Sequence, residues 1–317
     1  MSERPVALVL TGPTTSGKTD LSIEVANRLR GEIISMDSRQ VYRGMDIGTD
    51  KVRPEDRAGI PHYGLDLVDP HQRYSAGQFA RDARRWVGEI RSRGHVPVLA
   101  GGTGFFLRAV LQPMFREPEM DPVRLRRLRR WLRERDREEL EAWVRRLDPE
   151  RAELAAEGGP QRLSRTLEIP LLTGRPLSWW HRTAAEEAPG LPCCVVLLEL
   201  PREELDRRID DRVGRMVERG FLDEVRALLA AGVRSDDPGM TGTGYREVAA
   251  HLRGELDLDE ALERMRLQTR QYARRQLTWF RNQLPDEVVR VDARLPLRDK
   301  ARRIEDAWSA AQRGERG

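Results

Sequence analysis

One short loop near the N-terminus constrains this chain more than any other feature. Gly12-Pro13-Thr14-Thr15-Ser16-Gly17-Lys18-Thr19 satisfies the pattern G-x-x-x-x-G-K-[ST] in full. The run Val6 to Leu10 before it is aliphatic, which predicts a buried strand. After it, Leu21, Val25, Ala26 and Leu29 recur at helical spacing. A strand that feeds a glycine loop and then a helix opens an α/β domain. It is also the context in which this pattern binds phosphate rather than forming a simple turn. Backbone N–H groups converge on phosphate oxygens at the helix N-terminus. Lys18 adds a point charge there, and the Thr19 hydroxyl can hold Mg²⁺.

The rest of the chain extends that opening. Glu32 to Met36 predicts a second strand, with Asp37 at its C-terminal end. Gln78 to Arg93 predicts a helix, and Val96 to Ala100 another buried strand that breaks into Gly101-Gly102-Thr103-Gly104. The texture changes after Pro113. Asp121-Pro122 predicts a helix cap and first turn, and an Arg-rich helix is expected from Arg124 to Arg137. Its apolar pattern continues through Leu147, and Gln161 to Leu172 predicts a further helix closed by Gly174. Met120 to Ala188 shows no strand pattern. Strand texture returns at Cys193 to Leu200, followed by helical stretches over Pro201 to Leu229 and Leu258 to Phe280. An edge strand is expected at Glu287 to Asp292, then a helix from Arg302 fraying into a polar tail at Gly317. The expected fold is α/β: a P-loop NTPase-like core with a mostly parallel sheet, plus an all-helical insertion domain. The core would span 1–113 and 191–317, and the insertion 114–190.

Composition bounds the partners. The 317 residues are 39% hydrophobic and 34% charged, a globular balance, and the net charge is only +4. Nucleic-acid contact would therefore come from local patches rather than the global field. Lys18, Lys51 and Lys300 are the only lysines, and the remaining cations are arginines. That bias reflects either genome composition or the better fit of guanidinium to phosphate. Cys193 and Cys194 are strand neighbours pointing to opposite faces, which argues against a mutual disulfide. With no signal-peptide pattern and no long apolar stretch, a cytoplasmic protein without membrane contact is expected.

Asp37 falls at the strand edge where open α/β sheets hold their ligands. It can serve as a general base, as a metal ligand, or as a simple cap for the next turn. Thr103 lies in a loop that reaches the same edge, where its hydroxyl can bind a phosphoryl oxygen or merely occupy a glycine turn. P-loop NTPases usually carry an Asp at the end of a second strand, whereas Val96 to Ala100 ends in glycines. This disfavours an ATPase without removing a small-molecule kinase.

Beyond Asp37 the residues become recognisable. The P-loop, followed by Asp37-Ser-Arg-Gln-Val-Tyr-Arg-Gly-Met-Asp-Ile-Gly-Thr49, resembles the tRNA dimethylallyltransferase (tRNA isopentenyltransferase) family. The resemblance continues through Gly101 to Gly104, Gln161-Arg162 with Arg165 and Glu168, Gly220 to Val225, Gly244 to Glu247, and Thr269 to Arg281. It implies transfer of a dimethylallyl group from dimethylallyl diphosphate to N6 of adenosine 37 in tRNAs reading codons that begin with U, with Mg²⁺. It implies Asp37 as general base, Thr103 in the catalytic site and Arg212 on the diphosphate, with Gly12 to Thr19 holding the donor's diphosphate rather than ATP. It implies tRNA contacts at Asp37, Ser38, Arg39 and Gln40, at Gln161, Arg162, Leu163, Ser164 and Arg165, and at Arg274, Arg275 and Arg281. The expected fold needs no partner to complete its sheet, so no obligate protein partner and a monomer are expected. Two departures stand out: Thr15 replaces a common alanine, and Phe105-Phe106 replaces an aliphatic–Tyr pair, altering the wall expected for the isoprenoid.

This chemistry suits the residues. A leaving diphosphate needs N–H groups and cations but no activated water, so a strand-end Asp is dispensable. The Arg124–Arg137 stretch fits either an RNA backbone or a solvated helical face. A metabolite kinase, a prenyltransferase acting on free adenine nucleotides and a non-catalytic RNA-binding protein remain the competing readings.

Overall fold

Strand β1 (Ala7–Thr11) is buried along its whole length. A continuous aliphatic run of this kind suits a strand covered on both faces. In the computed structural model, which describes residues 4–116, 118–183, 186–285 and 287–314, the chain leaves β1 through the glycine loop into α1 (Lys18–Leu29) and returns as β2 (Gly31–Ser35). The two-residue β3 (His62–Tyr63), α2 (Ala76–Ser92), β4 (Val96–Ala100) and α3 (Gly104–Leu111) follow. A second stretch holds β5 (Met114–Phe115), α4 (Pro122–Arg133), α5 (Arg137–Leu147), α6 (Ala152–Glu157), α7 (Gly159–Thr173), α8 (Leu177–Thr183) and β6 (Glu186–Ala188). The chain then forms β7 (Cys193–Glu199), α9 (Arg202–Glu218), α10 (Phe221–Ala230), α11 (Tyr245–Leu252), α12 (Leu258–Gln283), β8 (Val289–Asp292) and α13 (Leu297–Arg313). The polar tail at 315–317 and residues 1–3 lie outside the described residues. Among the described residues, no helix is long and apolar enough to cross a membrane.

Two compact units result: Met1–Gln112 with Gly190–Gly317, and Pro113–Pro189. The first is built on a six-stranded sheet of order β3-β2-β4-β1-β7-β8, with every pair parallel. One face packs Phe79, Trp86, Phe106, Phe221 and Tyr245, and the other packs Leu21, Val25, Leu205, Ile304 and Trp308. Helix α2 is launched by a capping box between Ser75 and Gln78. In register, Leu10 pairs with Ala100 and Ala100 with Ser35. The glycine loop, the segment from Met36 and the loop from Gly101 therefore leave the sheet at one edge.

The second unit packs Leu132, Leu140, Val144, Ala155, Leu163 and Leu167 into its own core. Asp121 caps α4 by accepting from the Val123 and Arg124 N–H groups. Some expectations need correction. Arg124 to Arg137 is not one helix: α4 stops at Arg133, and Asp136 caps α5 by accepting from the Glu139 N–H at 2.7 Å. The stretch from Met120 to Ala188 is not free of strands either, since β6 pairs antiparallel with β5. The helical stretch Pro201 to Leu229 is broken at Gly220, whose φ of 90° ends α9 and starts α10.

Phe79 is fully buried and stacks on Phe106 with ring centroids 4.3 Å apart. Phe79→Ala is expected to cost about 3–5 kcal/mol of stability, read from the urea unfolding midpoint. Phe105→Ala, at a 60% exposed side chain, should change it by less than about 0.5 kcal/mol.

Candidate active site

A cavity of about 1290 Å³ opens at the C-terminal edge of the sheet. Its wall includes Thr14, Lys18, Thr19, Asp37, Arg212 and Gln276. The glycine loop is fixed from within. The Pro13 carbonyl accepts from the Ser16 hydroxyl at 2.8 Å and from the Lys18 ammonium at 2.6 Å. Gly17 adopts φ 78° at the start of α1, and Thr15 sits at φ 61° with a buried hydroxyl that has no partner among the described residues. Burial pushes the Lys18 ammonium from its ordinary 10.5 to about 7; the Asp37 carboxylate pulls it back up, and the Arg212 cation lowers it further. The Lys18 head is walled in although the residue as a whole is only half-buried.

Beside this loop, Asp37 uses one carboxylate oxygen to accept the Arg39 N–H at 2.8 Å. A turn-capping role thus coexists with a second oxygen that has no hydrogen-bond partner among the described residues. The Thr103 hydroxyl oxygen accepts the Ser38 N–H at 3.1 Å, joining the two loops that follow β2 and β4. Helix α12 meets the same loops. Tyr272 shares a hydrogen bond with Thr103, and burial raises its phenol to about 12, with Asp37 adding to the rise. Gln276 accepts the Thr14 N–H at 2.9 Å and donates to the Gly102 carbonyl at 2.8 Å. A Cβ on Gly102 would come 2.4 Å from the Gln276 amide nitrogen, and one on Gly104 would come 2.5 Å from the Trp279 ring. Gly102 lets α12 come close to the loop after β4, and Gly104 lets it come close to the first turn of α3.

Arg212 donates to the Thr14 hydroxyl and faces Asp50, which also pairs with Arg219 at 3.1 Å. Asp50 itself sits at φ 55°, at the end of a loop pinned by Glu224. That carboxylate accepts the N–H groups of Asp46, Ile47 and Gly48 at 2.6 to 3.1 Å, and the Tyr245 hydroxyl at 2.7 Å. The nearly buried Lys51 ammonium closes the loop from the other side on Asp46, Asp66 and the Tyr42 carbonyl.

The expected RNA contacts divide by environment. Arg39 donates to the Pro238 carbonyl and the Thr241 hydroxyl, while Gln40 bonds Ser35 and the carbonyls of Thr49 and Asp50. Arg274, Arg275 and Arg281 are exposed on α12, and Arg275 lines the cavity. Gln161, Arg162, Leu163, Ser164 and Arg165 lie on α7 in the second unit. Leu163 is fully buried in that unit's core, so its side chain is not offered to a ligand. Arg165 and Arg129 both pair with the buried Glu168. Sequence reasoning gave no role to Asp50, Glu224, Tyr245 or Gln276. The motif strings Gly220 to Val225, Gly244 to Glu247 and Thr269 to Arg281 contain all but Asp50.

A family profile described as IPP transferase matches residues 40–283. A tRNA dimethylallyltransferase of Thermomicrobium roseum is 45% identical over 89% of this chain and 85% of its own length. The full-length tRNA isopentenylpyrophosphate transferase of Bacillus halodurans superposes with a TM-score of 0.70 at 33% identity, covering 97% of each chain. A eukaryotic dimethylallyltransferase acting on tRNA gives 0.77 at 28% identity, covering 90% of this chain and 73% of that one.

The electrostatics of Lys18 set a pH dependence. An ammonium titrating near 7 leaves the free site with less positive charge as pH rises. Anion affinity should therefore fall above pH 7, by up to about tenfold per unit for a group that must be protonated to bind. Lys18→Arg keeps its charge, so the wild-type-to-variant ratio of diphosphate dissociation constants should climb between pH 7 and 9 in calorimetric titrations. Glu224→Ala should loosen the 46–50 loop and weaken diphosphate binding through Arg212, leaving the unfolding transition cooperative.

Proposed function

Because the chain belongs to the IPP transferase family, we propose that it transfers the dimethylallyl group of dimethylallyl diphosphate to N6 of adenosine 37 in the anticodon loop of tRNAs that read codons beginning with U. It is an enzyme of the tRNA dimethylallyltransferase class. The observation that carries the reading is a single cavity whose wall includes the phosphate loop, Asp37 and Arg212. Diphosphate rests on the N–H groups of the Gly12–Thr19 loop, with the Lys18 and Arg212 cations beside it. N6 attacks C1 of the dimethylallyl group, the C1–O bond breaks, and the electron pair leaves on diphosphate. Charge grows on that leaving group, where the cations act most strongly in the transition state. Asp37 accepts the N6 proton as the C–N bond forms, so the weakly nucleophilic amine attacks while still carrying both protons. Thr103, bonded to Ser38 and Tyr272, holds the Asp37 turn against the glycine loop after β4.

Mg²⁺ fits the donor set. Thr19 is exposed in the first turn of α1 on the cavity wall. A magnesium site needs few protein ligands when phosphate oxygens and waters complete its octahedron. Bound there, the ion would neutralise part of the diphosphate charge. An adenine in an anticodon loop reaches such a cavity by unstacking, which costs less than opening a duplex. The exposed Arg274, Arg275 and Arg281 would meet the RNA backbone.

Intact-mass analysis tests this directly. The protein, Mg²⁺ and dimethylallyl diphosphate should add one C5 unit at adenosine 37 of a tRNA, and ATP in place of the donor should add nothing. Phosphate appearing on a nucleoside would replace the transferase with a kinase. Asp37→Ala is expected to hold tRNA affinity within severalfold and to lose about 10²- to 10⁴-fold in turnover. Full activity in that variant would remove Asp37 from the base role.

A further inference from the structure

Helix α12 presents Met265, Thr269, Tyr272 and Gln276 to the cavity, a single stripe at helical spacing. Gln276 is 6% exposed, and both ends of its amide are used in opposite senses. Its oxygen takes the Thr14 N–H from the phosphate loop, and its nitrogen gives to the Gly102 carbonyl beside Thr103. Those partners stand 262 and 174 positions away in sequence. No other natural side chain of this length offers both a strong acceptor and a donor: ionised glutamate lacks the donor, and methionine has only a weakly accepting sulfur. Thr14 is thus held at its N–H from α12 and at its hydroxyl from Arg212 on α9. Beside this stripe Arg275 is exposed on the cavity wall, and Arg274 next to it is exposed as well.

We propose that Gln276 is a positioning residue that couples the two substrates, so that RNA seated on α12 and diphosphate in the glycine loop each bind more tightly when the other is present. The proposal rests on the transfer reading above. A ligand on the exposed arginines fixes the helix. Through one amide the helix fixes the phosphate loop and the Gly101–Gly104 loop together. Each ligand then finds part of its site already ordered, and the coupling is reciprocal.

Calorimetric titration of the full chain with magnesium and inorganic diphosphate measures the effect, with and without saturating anticodon stem-loop RNA that carries the target adenosine. In the wild-type protein, diphosphate affinity should rise about fivefold or more when RNA is bound. In Gln276→Met both ligands still bind and the rise disappears. Gln276→Glu keeps the acceptor for Thr14 at the same size. It should lose the rise as well, which covers the case in which the methionine variant fails to fold. Mutual indifference of the ligands in the wild-type protein, or a wild-type ratio in either variant, overturns the proposal and leaves the transfer reading standing. A wild-type protein that binds neither ligand overturns both.

Discussion

The parallel pairing of β1 with both β4 and β7 is the constraint on which the rest of the molecule depends. Parallel strands point their C-terminal ends the same way, so every loop that follows them reaches one edge. With Ser35, Ala100 and Leu10 in register, the Asp37 turn, the Gly101–Gly104 loop and the phosphate loop become neighbours without any further device. Local hydrogen bonds hold the phosphate loop and the Asp37 turn, but they do not join the loops to one another. Further support comes from side chains far away in sequence: Gln276 ties the phosphate loop to the Gly101–Gly104 loop, and Arg212 holds Thr14.

Cations at such an edge repel one another until an anion arrives. The arrangement moderates this in two ways. Asp50 stands between Arg212 and Arg219 and compensates both. Lys18 responds to its surroundings by holding its proton less firmly. A lysine can give up charge in this way, whereas an arginine cannot. The arginines keep their charge and instead donate hydrogen bonds to carboxylates, hydroxyls and carbonyls.

Much of the fold was legible in the sequence because its signals are local. The aliphatic runs of β1, β4 and β7, the periodicity of α1, α2 and α12, and the full phosphate-loop pattern each lie within a few consecutive residues. What escaped is carried by contacts across the chain. His62–Tyr63 is a strand only because β2 offers it an edge, and two residues leave no period to read. The Arg124–Arg137 stretch looked continuous because its apolar spacing outlasts the break that Asp136 makes. Within the site, the string around Glu224 was recognisable, but that its carboxylate gathers three backbone N–H groups across 176 positions or more has no local signature. Gln276 was hidden in the same way, as one polar residue on a helix whose arginines form the more conspicuous pattern.

The core is assembled from two stretches of chain, while the helical unit is one continuous run, Pro113–Pro189. On a ribosome this ordering matters. β1 is among the first strands made, yet Ala7 must wait for Cys193 to complete its second ladder. At about 5–20 residues per second, that wait is roughly ten to forty seconds. Throughout it one edge of the central strand carries unpaired N–H and C=O groups, open to any other extended segment. The chain of the helical unit is complete only at Pro189, four residues before Cys193, so its synthesis takes up much of that wait. The nascent protein's vulnerability to misassembly is thus concentrated in the interval before β7 emerges.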